Sequence, residues 1–188
     1  KPYQSPHPRL RIATSTPETF VALGSKGIPI FVALQSKGME KEAEAVRMYK
    51  RAWDEAGHQG EPSVFLRVPV YVADSKEAAL KEPEESMMLQ LRRLGNQLIR
   101  SAYKKGGSPD YHSLERGERL MDLSWEQVAR EQVVVGTPEM VVDRLHEVRE
   151  ALQLTGVVGE FNAGEFIPPD KVARSLRLFC EGVMPAFK

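Results

Sequence analysis

The hydrophobic positions along the chain change period several times, and each change marks a predicted element. Short apolar runs predict four strands, and apolar residues recurring every three or four positions predict amphipathic helices between them. The predicted strands are Leu10–Ala13, Ile28–Leu34, Val64–Ala73 and Gly156–Phe161. The predicted helices are Glu18–Ser25, Glu40–Ala56, Met140–Leu152 and Asp170–Glu181. This alternation indicates an α/β protein with a parallel sheet, and four strands are too few to close a barrel.

A different pattern occupies the middle of the chain, from about residue 82 to about residue 130. Long, charged helical segments are separated there by Gly106-Gly107-Ser108-Pro109, and no strand pattern interrupts them. We therefore expect a helical insertion before the last strand.

Composition and charge narrow the possible partners. Hydrophobic residues make up 41% of the chain and charged residues 28%, and 26 Lys and Arg balance 26 Asp and Glu. This balance gives no long-range attraction to nucleic acid or an anionic membrane, and the basic run from Leu91 to Lys105 lies among acidic residues, as on a solvated helix face. No signal peptide or membrane-spanning run is evident. We expect a cytoplasmic protein with no nucleic-acid or membrane partner.

Cysteine and histidine offer no obvious chemistry. Cys180 is the only cysteine, which excludes an internal disulfide, and its apolar neighbours predict a buried structural thiol. The histidines at positions 7, 58, 112 and 146 lack metal-ligand spacing, so we expect surface histidines and no metal site. The motifs HExxH, CxxC, GxSxG and GxGxxG are absent.

The turn after the first predicted strand is the best candidate binding site. Thr14, Ser15, Thr16 and Thr19 place hydroxyls at the start of a helix, where free backbone N–H groups and the helix dipole favour an anion. The same residues also make an ordinary helix cap, with Thr16 at the N-cap and proline next. A similar sequence, Thr137-Pro138-Glu139, is interpreted as a structural cap.

Three further residues occupy positions that barrel enzymes use for function. Glu160 and Asn162 lie at the end of the last predicted strand and just after it, and Arg67 lies inside the third, where it could meet an anion. The alternative for each is a solvated polar side chain. The sequence alone assigns no catalytic residue.

Several segments, in this order, resemble the luciferase-like monooxygenase family. They are Pro6-His7-Pro8, Leu10-Arg11-Ile12-Ala13, Gly27-Ile28-Pro29-Ile30, Val135-Gly136-Thr137-Pro138-Glu139, Ser175-Leu176-Arg177-Leu178-Phe179 and Val183-Met184-Pro185. The resemblance implies that residues 1–188 form a single domain fragment, the C-terminal half of a TIM-like (β/α)₈ barrel with strands five to eight. It also implies reduced FMN as cofactor, or a deazaflavin in sister groups, and oxygen acting on a small organic substrate. In that family the turn after strand five helps to hold the cofactor phosphate, which here corresponds to Ser15, Thr16 and Thr19.

The first four strands of the family, with its main proton-handling residues, have no counterpart in this chain. The catalytic residues are therefore unknown. Three hypotheses stay open: half of a flavin-dependent monooxygenase, a deazaflavin-dependent hydride-transfer enzyme, and a non-catalytic half-barrel that closes by dimerisation. The expected partners are a flavin, an organic substrate, and either the missing N-terminal half or a second copy of the chain.

Overall fold

The computed structural model describes residues 3–34, 38–103 and 108–187. The predicted break at Gly106-Gly107, with the end of the basic run at Lys104 and Lys105, lies outside these residues. The chain divides into two compact units. Unit 1 comprises Lys1–Arg67 with Val148–Val158, and unit 2 comprises Val68–Glu147 with Gly159–Lys188.

The described residues form one five-stranded sheet and eight α-helices. The strands are β1 (Ile12–Ala13), β2 (Ile30–Val32), β3 (Val64–Val72), β4 (Val134–Gly136) and β5 (Gly156–Glu160). The helices are α1 (Pro17–Ser25), α2 (Met39–Glu55), α3 (Lys76–Lys81), α4 (Glu84–Ala102), α5 (Tyr111–Asp122), α6 (Trp125–Glu131), α7 (Pro138–Leu152) and α8 (Pro169–Leu178). A π-helical turn (Phe179–Val183) and a 3₁₀ turn (Met184–Phe187) follow α8.

Unit 1 depends on parallel pairing of β1, β2 and the start of β3. Ile12 pairs with Ile30, and Ile30 pairs with Val64. Ile30 and Val64 are fully buried, whereas Phe31, between two buried residues of β2, is only half-buried. Because side chains alternate along a strand, one face of this sheet is buried and the other is only half-buried. On the α2 side, the buried Tyr49 donates from its hydroxyl to the carbonyl of Ile28 at 3.2 Å.

Unit 2 is built on the second part of β3. Val70 pairs with Val134 of β4, and Val72 pairs with Gly136. Tyr71 points to the opposite face from these valines and joins a buried apolar cluster. That cluster contains Tyr71, Ala73, Ala79, Met87, Met88, Leu91, Leu120, Val128, Val133, Ala163 and Ile167. The insertion therefore has a hydrophobic core of its own, shared with the end of β3 and the segment after β5.

The expected helical insertion is present as α4, α5 and α6, between β3 and β4. The structure adds β4 to the four predicted strands, so the insertion precedes the last two strands. The sequence did not reveal β4 because three residues are too few for a periodic signal; only pairing with β3 defines the strand.

The prediction that Cys180 is buried is wrong, because its side chain is exposed. The inward-facing residues of this C-terminal segment are Ser175 and Val183, both fully buried. Cys180 lies on another side of the segment, in the π-helical turn, so the apolar residues beside it in the sequence do not enclose it.

The contact between α4 and α5 gives a test of insertion packing. A Cβ added at Gly117 would lie 2.6 Å from Cγ1 of Ile99 and 2.8 Å from the carbonyl oxygen of Gly95. We expect Gly117→Ala to lower the free energy of unfolding by about 1–3 kcal/mol, because the helices must separate to admit the methyl group. Urea unfolding followed by circular dichroism measures the change.

Gln97→Ala, an exposed change on α4, is the matched control and should change the free energy of unfolding little. Equal stability of Gly117→Ala and the native chain would show that α4 and α5 do not pack as closely as described.

Candidate functional site

The turn between β1 and α1 brings three threonine hydroxyls to the start of a helix. The Oγ1 atoms of Thr16 and Thr19 lie 2.7 Å apart and share one hydrogen bond. The backbone N–H groups of Thr19 and Phe20 both donate to the carbonyl of Thr16, at 3.0 and 3.1 Å. Thr16 is the N-cap residue, but its side chain makes no capping bond. The Thr16 hydroxyl therefore bonds to the Thr19 hydroxyl and not to the helix backbone. One of the two O–H hydrogens of this pair stays available for another acceptor.

Thr14 carries the unusual feature of this turn. Its backbone N–H donates to the carbonyl of Phe31 at 3.2 Å, which fixes the residue just beyond β1. Its Oγ1 is buried and has no hydrogen-bond partner among the described residues. A buried hydroxyl without a partner costs about 1–3 kcal/mol, so such a group commonly awaits a ligand or a bound water. Among the described residues, the Thr14 hydroxyl therefore stays unpaired in the same turn as the hydrogen-bonded pair of Thr16 and Thr19.

The second Thr-Pro-Glu sequence has a different arrangement. The Thr137 hydroxyl donates to a carboxylate oxygen of Glu139 at 2.8 Å and accepts from the backbone N–H of Met140 at 3.5 Å. Hydrogen bonds from its own backbone and from Thr137 lower the pKa of Glu139. This turn satisfies itself, which supports its interpretation as a structural cap, whereas the turn at Thr16 leaves hydroxyl capacity unused.

Arg67 lies on β3, on the face opposite the buried Leu66 and Val68, and its side chain is exposed. A neighbouring arginine on this side of unit 1 was not recognised as a site residue from the sequence. The Arg11 guanidinium lies 3.5 Å from the centre of the Phe65 ring and donates to the Ser63 hydroxyl at 2.8 Å. Local sequence gives no sign of this stacking, since 54 positions separate the two partners (65 minus 11).

Glu160 ends β5 and is partly exposed, and Asn162 follows it in a tight loop. The Asn162 side-chain oxygen accepts from the backbone N–H of Ile167 at 3.2 Å, so it is used to shape the loop. The Ser86 hydroxyl fastens the same loop: it donates to the carbonyl of Ala163 at 2.6 Å and accepts from the N–H of Phe166 at 2.9 Å. Asn162 therefore acts through the loop, and Glu160 is the more direct candidate for contact with a ligand.

A polar cluster around the partly buried Glu82 in unit 2 was not predicted. Glu82 accepts a hydrogen bond from the Tyr71 hydroxyl at 2.5 Å and from the Arg174 guanidinium at 2.5 Å, and Lys171 lies 3.1 Å from its other oxygen. Arg174 also lies 3.8 Å from a carboxylate oxygen of Asp74. The partners come from β3, the α3–α4 junction and α8, so no local motif announces them.

The cluster alters the ionisation of its members. Burial raises the pKa of Tyr71 to about 12, and the hydrogen bond to Glu82 acts in the same direction. Burial also acts to raise the pKa of Glu82, but hydrogen bonds from Tyr71 and Lys171 and the charge of Arg174 outweigh it and hold that pKa below its ordinary value. Glu82 is therefore an anion that fastens α8 to the start of the insertion.

Two other features bear on possible ligands and surroundings. Within residues 3–34, 38–103 and 108–187, no group of three His, Cys, Asp or Glu side chains is arranged to hold a metal ion. No helix in the described part of the chain is both long enough and apolar enough to cross a bilayer.

Parallel strands joined by helices define an α/β protein with a parallel sheet, and the hydroxyl-lined turn after β1 lies where barrel enzymes place functional groups. The family model for luciferase-like monooxygenases matches residues 1–154. The chain therefore belongs to the luciferase-like monooxygenase family, as the sequence resemblance indicated. A search of curated proteins found no match.

Solved structures match over nearly the whole chain. The oxygenating constituent of 3,6-diketocamphane monooxygenase from Pseudomonas putida, in complex with FMN, has a TM-score of 0.71 at 17% identity, covering 95% of this chain and 49% of the other. Monooxygenase RslO1 from Streptomyces bottropensis has a TM-score of 0.67 at 22% identity, covering 99% and 50%. The coenzyme F420-dependent tetrahydromethanopterin reductase from Methanopyrus kandleri has a TM-score of 0.60 at 20% identity, covering 95% and 50%.

The chain thus spans about half the length of these structures. The expected fold class is confirmed: an α/β fold with a parallel sheet, corresponding to half of a luciferase-like barrel.

The Glu82 cluster predicts an acid-dependent contribution to stability. A carboxylate whose pKa is lowered by folding stabilises the protein above its ordinary pKa of 4.5, and that contribution is lost as the pH falls below it. We expect Glu82→Gln to reduce the free energy of unfolding at pH 7 by about 1–2 kcal/mol, since solvent partly screens Lys171 and Arg174. The deficit should shrink progressively below about pH 4.5.

Chemical unfolding at a series of pH values measures this difference. Glu77→Gln, an exposed change on α3, is the matched control. A deficit of equal size at low and neutral pH would contradict an ionic role for Glu82.

Proposed function

We propose that this chain is the phosphate-binding half of a flavin-dependent, luciferase-like oxidoreductase that uses reduced FMN and oxygen on an organic substrate. The buried, unpartnered Thr14 hydroxyl at the start of α1 carries the proposal. The complex of the 3,6-diketocamphane monooxygenase constituent with FMN supports this choice of cofactor.

The residues of the turn fit a phosphate group. The Thr14 hydroxyl would donate one hydrogen bond, and the Thr16–Thr19 pair has one O–H hydrogen left after bonding internally at 2.7 Å. Ser15 lies between them in the turn. The N-terminus of α1 adds a partial positive charge, and the Glu18 side chain, which would repel an anion, is exposed to solvent.

When bound, reduced flavin would supply the electrons that allow oxygen to react with an organic molecule. The contribution of this chain is to hold the cofactor phosphate and thereby fix the position of the flavin. Arg67 and Glu160 are each proposed to contact a ligand, because Arg67 lies on β3 and Glu160 ends β5. Asn162 would support the loop after β5. Proton transfer is assigned to residues outside this chain.

A deazaflavin is the second candidate cofactor. Two of the structures that match are F420-dependent, the reductase from Methanopyrus kandleri and a secondary alcohol dehydrogenase in complex with an F420–acetone adduct. A phosphate-binding turn would serve either cofactor. With a deazaflavin, the reaction would be hydride transfer and oxygen would take no part.

The proposed activity needs a second polypeptide segment. The matched structures are twice as long as this chain, and the face of the unit 1 sheet that carries Phe31 and Phe65 is only half-buried. Val158 of β5 is also exposed. We propose that the N-terminal half of a luciferase-like barrel covers this face. A homodimer of half-barrels without catalytic activity is the alternative, because pairing would also protect the open strand edges.

Binding of FMN and of riboflavin by threonine variants tests the phosphate site. We expect Thr14→Val and Thr16→Val each to weaken FMN binding about tenfold, as loss of a hydrogen bond to a charged group predicts. Riboflavin, which lacks the phosphate, should bind as before. Flavin fluorescence quenching gives both dissociation constants, and thermal unfolding checks that each variant is folded.

Thr137→Val is the matched control, since it changes a Thr-Pro-Glu cap whose hydroxyl is already satisfied. Equal losses of affinity for FMN and riboflavin would show that the turn at Thr16 is only a helix cap. An equal loss of FMN affinity in Thr137→Val would show the same. Parallel titration with F420 distinguishes the two cofactors.

Native mass spectrometry with and without FMN tests the partner. We expect the chain to gain FMN affinity when a polypeptide comprising the N-terminal half of a family member is supplied. A homodimer of this chain that binds no flavin under either condition would favour the non-catalytic half-barrel.

A further inference from the structure

Unit 2 contains a groove whose lining shares no residue with the turn at Thr16. It has a volume of about 380 Å³ and runs beside the first turns of α4, opposite the junction of α5 and α6. Its apolar part is formed by Met88, Leu123 and Trp125. Met88 is 9% exposed and belongs to the insertion core, whereas the Trp125 indole is partly accessible. A groove of this size with an accessible indole suits a small molecule with a flat apolar body.

The Trp125 backbone is held in place by a capping box. The Ser124 hydroxyl accepts from the N–H of Gln127 at 3.3 Å, and the Gln127 side chain accepts from the N–H of Ser124 at 2.9 Å. Because Trp125 is the first residue of α6, this pair of bonds fixes its backbone beside α4. The backbone position of Trp125 is therefore set before any ligand arrives.

The charges along the groove are distributed unevenly. Glu84 and Glu85 lie at one end with Lys81, which leaves a net charge of −1 there, and Arg92 lies two turns further along α4. The eight positions from Glu84 to Arg92 correspond to about 12 Å along the helix axis. None of these four side chains forms an ion pair with another described residue.

We propose that this groove binds an elongated zwitterionic organic molecule. Its cationic group would lie at Glu84 and Glu85, its flat apolar body against Trp125, and its anionic group at Arg92. A simple anion would leave the glutamates without a counter-charge, and a simple cation would leave Arg92 without one. The proposal is independent of the flavin site, since all its residues belong to the insertion and its flanking helix α3.

The probe is a biphenyl carrying an aminomethyl group at one end and a carboxylate at the other, titrated into the complete chain by isothermal calorimetry. Two control probes lack either the amine or the carboxylate. We expect the zwitterion to bind with a dissociation constant below about 1 mM, and each control probe to bind about three- to fivefold more weakly, as exposed charge pairs predict. Raising the salt concentration should reduce the difference in affinity between the zwitterion and the control probes.

Matched variants identify the groove as the site. Arg92→Gln should lower the affinity for the zwitterion about three- to fivefold. Arg93→Gln, an exposed change at the next residue of α4 and outside the groove, should leave the affinity unchanged. Lys81→Gln should strengthen binding slightly, because it removes a positive charge beside the cationic group. Trp125→Ala should lower the affinity for all three probes by the same factor.

Three results would overturn the proposal. They are the absence of saturable binding up to about 10 mM probe, equal affinity for the three probes, and equal effects of the changes at Arg92 and Arg93. None of them bears on FMN binding at Thr14 and Thr16, so this proposal and the flavin proposal can fail separately.

Discussion

The backbone of β3 is the constraint on which the rest of the structure depends. Its first part pairs with β2 and its second part with β4, and β5 pairs with it as well. Because a buried N–H or carbonyl without a partner is costly, each part of this strand requires a neighbour. The N–H of Val72 donates to the buried Ser175 hydroxyl of α8 at 2.8 Å, so even the end of the strand is satisfied by a side chain.

The two Thr-Pro-Glu turns show how the same sequence reaches different states. At Thr137 the hydroxyl is occupied by Glu139 and by the backbone of Met140. At Thr16 the hydroxyl turns to Thr19, and the nearby Thr14 hydroxyl is buried without a partner. The same Thr-Pro-Glu sequence therefore occupies its hydroxyl fully in one turn and leaves hydrogen-bonding capacity unused in the other.

The insertion combines a hydrophobic core with two polar features of different kinds. Glu82, mostly shielded from solvent, accepts hydrogen bonds from Tyr71 and Arg174, which suits a structural role. The charges of the groove, from Glu84 to Arg92, remain open to solvent and to ligands. This contrast follows from position, since Glu82 lies between α3 and α4 beside Lys171 and Arg174 of α8, whereas Glu84, Glu85 and Arg92 are exposed on α4.

The sequence by itself determined the α/β class, the helical insertion and the family, because strand and helix periods and the order of short segments are local properties. It also placed the hydroxyls at the turn from Thr14 to Thr19, since a strand followed by Thr-Pro-Glu defines a helix start. Only the tertiary structure decided that β4 is a strand, that Cys180 is exposed, that Asn162 bonds its own loop and that Thr14 lacks a partner. Each of these depends on which distant segments come into contact, and spacing along the chain does not carry that information.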